Sequence, residues 1–171
     1  MQIDFDQYVD GLYRFALSLT RDQHQAEDLT QECCLRAHQH RRQVKDQDKI
    51  KSWLFQIMHN LWKDQLKKKK PQTDNATVSE AVSSVLSPEK AASMQEQHER
   101  VLRWMQQLPN QQRSVLFLCV VEGFKQQEVA QLLGISLANV KATLSIARRK
   151  LTEKVNASQH DATDRIPKGA Q

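Results

Sequence analysis

The sequence predicts an all-α protein built as two small helical domains joined by a flexible linker. Three observations carry this. Apolar residues recur at spacings of three and four in each periodic stretch, and no strand alternation is found. No Gly stands between Gly11 and Gly123, which excludes turn-rich β sandwiches, Gly-rich phosphate loops and a dinucleotide fingerprint. Residues 71–87 (PQTDNATVSEAVSSVLS) lose the periodicity and read as a linker between two periodic halves. The expected division is 1–70, linker 71–87, 88–155 and a disordered tail over 156–171.

The first helix follows from Phe5, Tyr8, Leu12, Phe15 and Leu19 on one face, with Asp4 or Asp6 as N-cap. A second starts after Asp22, with Gln25 completing a capping box, and runs through Ala26, Leu29, Cys33 and Ala37. Residues Arg41 to Asp48 (RRQVKDQD) are aperiodic and read as a loop. A third helix carries Ile50, Trp53, Leu54, Ile57, Met58, Leu61, Trp62 and Leu66. None of the three could bury its stripe alone, so they form a bundle.

After the linker, Ser87-Pro88-Glu89 supplies an N-cap, a Pro at the first helical position and an early acid. That helix carries Ala91, Met94, Val101, Leu102, Met105 and Leu108 and stops at Pro109. The next spans roughly Gln111 to Glu122, with Gly123 as left-handed C-cap. Then comes KQQEVAQLLGISLANVKATLSIARRKL, residues 125–151. Val129, Ala130 and Leu133 face inward on a short helix. Gly134 stands where a helix-turn-helix needs positive φ. Ser136 caps a second helix whose inward residues are Val140, Leu144, Ala147 and Leu151, leaving Asn139, Lys141, Ala142, Thr143, Ser145, Arg148 and Arg149 on other faces. A basic helix with its N-terminal end free suits a DNA major groove, with Asn139 for a base edge and Lys141, Arg148 and Arg149 for phosphates. A helical hairpin that merely packs is the bland alternative.

Charge supports a polyanion partner. Residues 1–66 hold nine basic and ten acidic side chains, Lys67–Lys70 add four positive charges, 71–99 hold one basic and five acidic, and 100–157 hold nine basic and three acidic. Two positive zones therefore flank an acidic stretch. The longest apolar run, Val115 to Val121, is too short to span a membrane. The acidic N-terminus lacks a signal-peptide core, and three Cys cannot all pair, so no membrane insertion and a cytoplasmic location are expected. Cys34 and His38 share a face, but no paired-Cys or His-Glu-x-x-His spacing occurs. No metal, no cofactor and no catalytic residues are expected, and the chain is not read as an enzyme.

The C-terminal stretch LPNQQRSVLFLCVVEGFKQQEVAQLLGISLANVKATLSIARRKL resembles region four of the extracytoplasmic-function (ECF) sigma factors of bacterial RNA polymerase. LYRFALSLTRDQHQAEDLTQECCLRA with KSWLFQIMHNLWKDQLKKK resembles their region two. The resemblance implies a sigma factor that binds core polymerase and directs promoter-specific initiation. Region two would open the minus-ten element, and region four would read the minus-thirty-five element. It implies that Asp28, Leu29, Gln31 and Glu32 dock on the β′ clamp helices. Arg41, Arg42, Lys45, Lys49, Lys51, Asn60 and Lys63 would serve the minus-ten DNA. Ser136, Asn139, Lys141, Ala142, Ser145, Arg148 and Arg149 would serve the minus-thirty-five DNA. The polymerase β flap and an anti-sigma factor are further implied partners. Trp53 is expected in the core, and Trp62 less securely so. Three positions depart from the family: Lys125 replaces the usual Ser or Thr cap, and Thr143 and Ile146 stand where Arg is frequent. Two rival readings remain: a helix-turn-helix regulator that binds duplex alone, and a degenerate sigma acting as a protein-interaction module.

Overall fold

The computed structural model describes residues 4–69, 100–101 and 103–163. Among them every element is helical. The expected linker, the helix start at Ser87, and Ala91 and Met94 lie outside the described residues, as does any tail beyond 163.

Helix α1 (Asp6–Thr20) buries Leu12, Phe15 and Leu19, and Asp4 Oδ1 accepts from the Asp6 N–H at 3.0 Å. It ends at Arg21, whose φ of 57° is the left-handed cap more usual for Gly. Helix α2 (Gln23–His40) starts as expected: Asp22 Oδ1 accepts from Gln25 N–H at 2.8 Å. The aperiodic stretch forms 3-10 turns at Arg41–Gln43 and Gln47–Lys49. Helix α3 (Ile50–Lys68) then closes the first bundle. Residues 103–106 are helical and lead to α4 (Asn110–Leu116). The apolar run continues as one π turn, Phe117–Val121, with Gly123 at φ 74°. Helices α5 (Gln126–Leu133) and α6 (Leu137–Thr163) follow, joined at Gly134 with φ 66°.

Helix α6 runs to Thr163, past residue 156 where a disordered tail is expected. Apolar periodicity marks where a helix packs, not where it must end. Residues such as Lys150, Glu153 and Lys154 carry the helix on without packing, aided by an Arg149–Glu153 contact of 3.9 Å. Of the two tryptophans, the one expected less securely in the core is the more deeply buried. Trp62 is buried beside His59, whereas Trp53 is only partly buried. A stripe eight or nine residues wide cannot all reach one core, and Trp53 sits near its edge.

The two helical domains pack against each other. Phe15 of α1 meets Phe117 (ring centroids 5.4 Å apart), and Phe55 of α3 meets Phe124 (5.3 Å). Phe15 and Phe55 are themselves 5.5 Å apart, so one aromatic chain crosses the junction. Arg21 donates from Nη2 to the Leu108 carbonyl at 3.1 Å. The fully buried Arg113 donates to the same oxygen at 2.7 Å and to Asn110 Oδ1 at 2.6 Å. Leu132, off the expected stripe of α5, is buried because α5 also leans on α3.

Candidate nucleic-acid interface

The 3-10 turns between α2 and α3 present Arg41, Arg42, Lys45 and Lys49 to solvent. Asn60 and Lys63 are exposed on α3. A groove beside these turns is lined by Val44, Lys45, Ser52, Trp53 and Gln56. Positive charge beside a partly exposed indole is the combination that an unpaired strand requires, phosphates on the cations and a base on the ring. The groove's opposite wall is Glu128, Gln131 and Leu132 of α5. The C-terminal half therefore sits over the loop.

Lys51 departs from this group. Its Nζ lies 3.1 Å from Glu122 Oε2, donates to the Glu122 carbonyl at 2.7 Å, and stands 4.9 Å from the centre of the Phe124 ring. A predicted DNA contact is here a bond between the halves. Glu122 went unnoticed in the sequence because an acid near a helix end reads as ordinary surface. Its carboxylate is only 7% exposed. Gly11 makes room for it, since a Cβ there would lie 3.2 Å from Glu122 Oε1.

On α2, Asp28 and Gln31 are exposed and Glu32 partly so, on one face as their spacing requires. Glu32 is held by Arg36 at 2.9 Å. Leu29 is a correction: it is fully buried and has no surface to offer a partner, because it belongs to the stripe packed against α1 and α3. Leu35, 58% exposed and one helical repeat after Asp28, extends that face instead. Its place off the buried stripe is the signal that identifies it.

In the helix-turn-helix, Ser136 Oγ accepts from the Asn139 N–H at 3.1 Å, so Ser136 acts as a helix cap. Asn139, Lys141, Ala142, Ser145, Arg148 and Arg149 are exposed. Lys125 has no acceptor to cap α5, but Glu128 accepts from the Lys125 N–H at 2.8 Å and keeps half of a capping box. Thr143, expected on an outer face, is buried where α6 meets the start of α4. Its hydroxyl donates to Asn139 Oδ1 at 3.0 Å.

Burial pushes the Cys33 thiol up to about 12, and burial raises Cys34 and Cys119 as well. No group of His, Cys, Asp or Glu among the described residues is arranged to hold a metal. None of the described helices is, singly, long and apolar enough to cross a membrane.

Both halves of the chain resemble known proteins. The Sigma-70 region 2 model matches residues 5–72, and the Sigma-70, region 4 model matches residues 98–151. The chain is 35% identical over 166 residues to the ECF RNA polymerase sigma factor SigM of Bacillus subtilis (strain 168), covering 94% of this chain and 99% of that one. It is 38% identical over 138 residues to the probable RNA polymerase sigma factor RfaY of Xanthomonas campestris, spanning 78% of this chain but 34% of that protein. Its fold is similar to that of the sigma factor RpoE from Bartonella quintana, solved in complex with the anti-sigma factor NepR. That match has a TM-score of 0.71 at 23% identity, covering 89% of this chain and 94% of that one.

Proposed function

The chain belongs to the sigma-70 family, in its ECF group, and from that membership we propose how its halves divide the work of promoter-directed initiation. Phosphodiester chemistry belongs to the polymerase, and the chain supplies recognition. Asp28, Gln31 and Glu32, with Leu35 beside them, form a surface on α2 for basic and apolar side chains of the β′ clamp helices. Arg41, Arg42, Lys45 and Lys49 steer the melted minus-ten strand, and Asn60, Lys63 and the Trp53 groove receive it. Helix α6 enters the minus-thirty-five major groove with Asn139, Lys141, Ala142 and Ser145, while Arg148 and Arg149 bind phosphates. Val120 and Val121, exposed on the π turn, face the β flap.

The observation that carries this reading is the placement of both cationic surfaces, each on its own helical unit, in the order the family requires. Promoter elements about 25 base pairs apart lie about 85 Å apart along straight duplex. A compact body of the described residues is under about 40 Å across. The packed halves must therefore part before both can touch one promoter. The seventeen residues 71–87 can extend about 56 Å. An anti-sigma factor would act by holding the halves together or by covering α2.

Run-off transcription with bacterial core polymerase and genomic fragments tests this. Specific start sites that depend on the chain are expected. Asp28→Lys should abolish them by loss of core binding. Lys45→Ala with Asn60→Ala should leave core binding intact but reduce permanganate-reactive thymines at the start site. Tight duplex binding without initiation would refute the assignment.

A further inference from the structure

Asn139 is the third residue of α6, on the exposed N-terminal turn that the preceding reading places in the major groove. Its side chain is tethered. Thr143 lies one turn further on the same helix face, and its hydroxyl donates to Asn139 Oδ1 at 3.0 Å. Gln111, at the start of α4, donates from Nε2 to the same oxygen at 3.4 Å. An amide oxygen has two lone pairs: Thr143 takes one through a well-formed bond, and Gln111 faces the other at the long end of hydrogen-bond range. Thr143 is 8% exposed, so its hydroxyl has little water to turn to. The Thr143 hydroxyl hydrogen has its acceptor in Asn139 Oδ1, which favours the amide with oxygen toward Thr143 and Gln111 and NH2 free for a ligand.

An Asn in this state reads DNA differently from a free one. Adenine recognition is bidentate, with Oδ1 accepting from N6 while Nδ2 donates to N7. Here the acceptor is already spent. Guanine offers only acceptors, N7 and O6, on the same edge. We infer that Thr143 and Gln111 convert Asn139 into a donor-only reader that selects guanine over adenine at the base facing the start of α6. This rests on α6 being the promoter-reading helix. It also gives Thr143, which does not touch DNA, a positioning role. Specificity is then set by a contact between two helices, where a one-helix account would place it in α6 alone.

The test uses the full chain with bacterial core polymerase and a template library randomised through the minus-thirty-five element, read by sequencing the transcripts. The expected result is one position at which guanine exceeds adenine by about tenfold, with the preference lost in Asn139→Ala. Thr143→Val keeps the side-chain size but removes the donor. The guanine-to-adenine ratio at that position should fall to about one or invert, with the preferences at other positions unchanged. Gln111→Ala, made at an exposed residue outside α6, should shift the ratio the same way by a smaller factor, and it decides the matter if Thr143→Val folds poorly. Replacing that guanine by 2-aminopurine, which keeps N7 but lacks O6, should lower wild-type output and leave Asn139→Ala output unaltered. Initiation with the ratio unmoved in both Thr143→Val and Gln111→Ala overturns this inference alone. So does a wild-type preference for adenine at the position lost in Asn139→Ala. No initiation by wild type from any template overturns the promoter reading and this inference with it.

Discussion

Removing either partner of the Lys51–Glu122 pair should loosen the junction between the halves, and unequally. The Glu122 carboxylate is 7% exposed, with Oε2 3.1 Å from Lys51 Nζ, while Lys51 remains 35% exposed. Glu122 Oε1 has no hydrogen-bond partner among the described residues. Breaking a buried pair costs about 3–5 kcal/mol, and an exposed one about 0–1. This pair lies between the two. Glu122→Ala leaves Lys51 its solvent and its ring contact, and it relieves the unpartnered oxygen, so about 1–2 kcal/mol is expected. Lys51→Ala strands a buried carboxylate and should cost more, about 3 kcal/mol. The double variant should cost less than the sum, with a coupling of about 2 kcal/mol, or about thirtyfold in the ratio of closed to open chains.

Two measurements read this. A double-mutant cycle in urea gives the coupling, and small-angle scattering gives the opening. Lys51→Ala should exceed Glu122→Ala in its expansion over the wild-type radius of gyration. Gly11→Ala approaches the junction from the other side. It favours α1 intrinsically, yet its Cβ crowds the carboxylate at 3.2 Å, so it should weaken the same coupling. A coupling under about 0.5 kcal/mol, with no expansion in any variant, would refute the claim that this pair clasps the halves.

Three further outcomes are expected. His59 is held down to about 4 by burial, with Lys63 adding to it, against an ordinary 6.5. Above pH 6.5 both folded and unfolded forms are neutral there. As pH falls from 6.5 to 4 the unfolded chain takes the proton first, so stability is lost over that window, up to about 3 kcal/mol. Urea midpoints at pH 7 and 4.5 should differ less in His59→Gln than in the wild type. Arg113, held down to about 10 by burial and by Arg21, stays charged at neutral pH. Arg113→Lys should cost about 2–4 kcal/mol in a urea titration, because a lysine lacks the rigid fork whose Nη1 and Nη2 reach the Leu108 carbonyl and Asn110 separately. Cys33, buried with its thiol raised to about 12, should resist iodoacetamide at pH 8 while Cys34 and Cys119 react, as read by peptide mass spectrometry.

The helices and the turn chemistry were legible in the sequence because they are local. Asp22 capping Gln25, Gly134 at positive φ and Ser136 capping Asn139 each depend on residues within three positions. The stripes of α1 and α2 were legible for the same reason. What could not be read is what one half does to the other. Lys51 looked like a DNA contact because its partner lies 71 residues away. Leu132 looked like surface because its cover is α3. Thr143 looked outward because α4, which buries it, comes before α5. The site residues split along the same line. Cations on the 3-10 turns and on α6 are exposed as their local pattern implies, whereas Leu29, carried over with its neighbours as one motif, is fully buried because a helix face alternates faster than a motif does.

The clasp predicts weaker strand binding by the closed chain than by the open one. Lys51 cannot hold Glu122 and a phosphate together, and α5 forms one wall of the groove beside the cations of the 3-10 turns. Closure and strand binding therefore compete for the same groups. If only a fraction of chains is open, the apparent affinity for DNA falls by that fraction. A clasp worth about 2 kcal/mol implies about a thirtyfold reduction. Core polymerase, by binding the halves at separate places, would remove this penalty without touching the DNA. Glu122→Ala frees Lys51 and should therefore raise the affinity of the isolated chain for a forked minus-ten strand, while its gain with polymerase present should be small. Equal gains in both settings would mean that polymerase does not act by parting the halves.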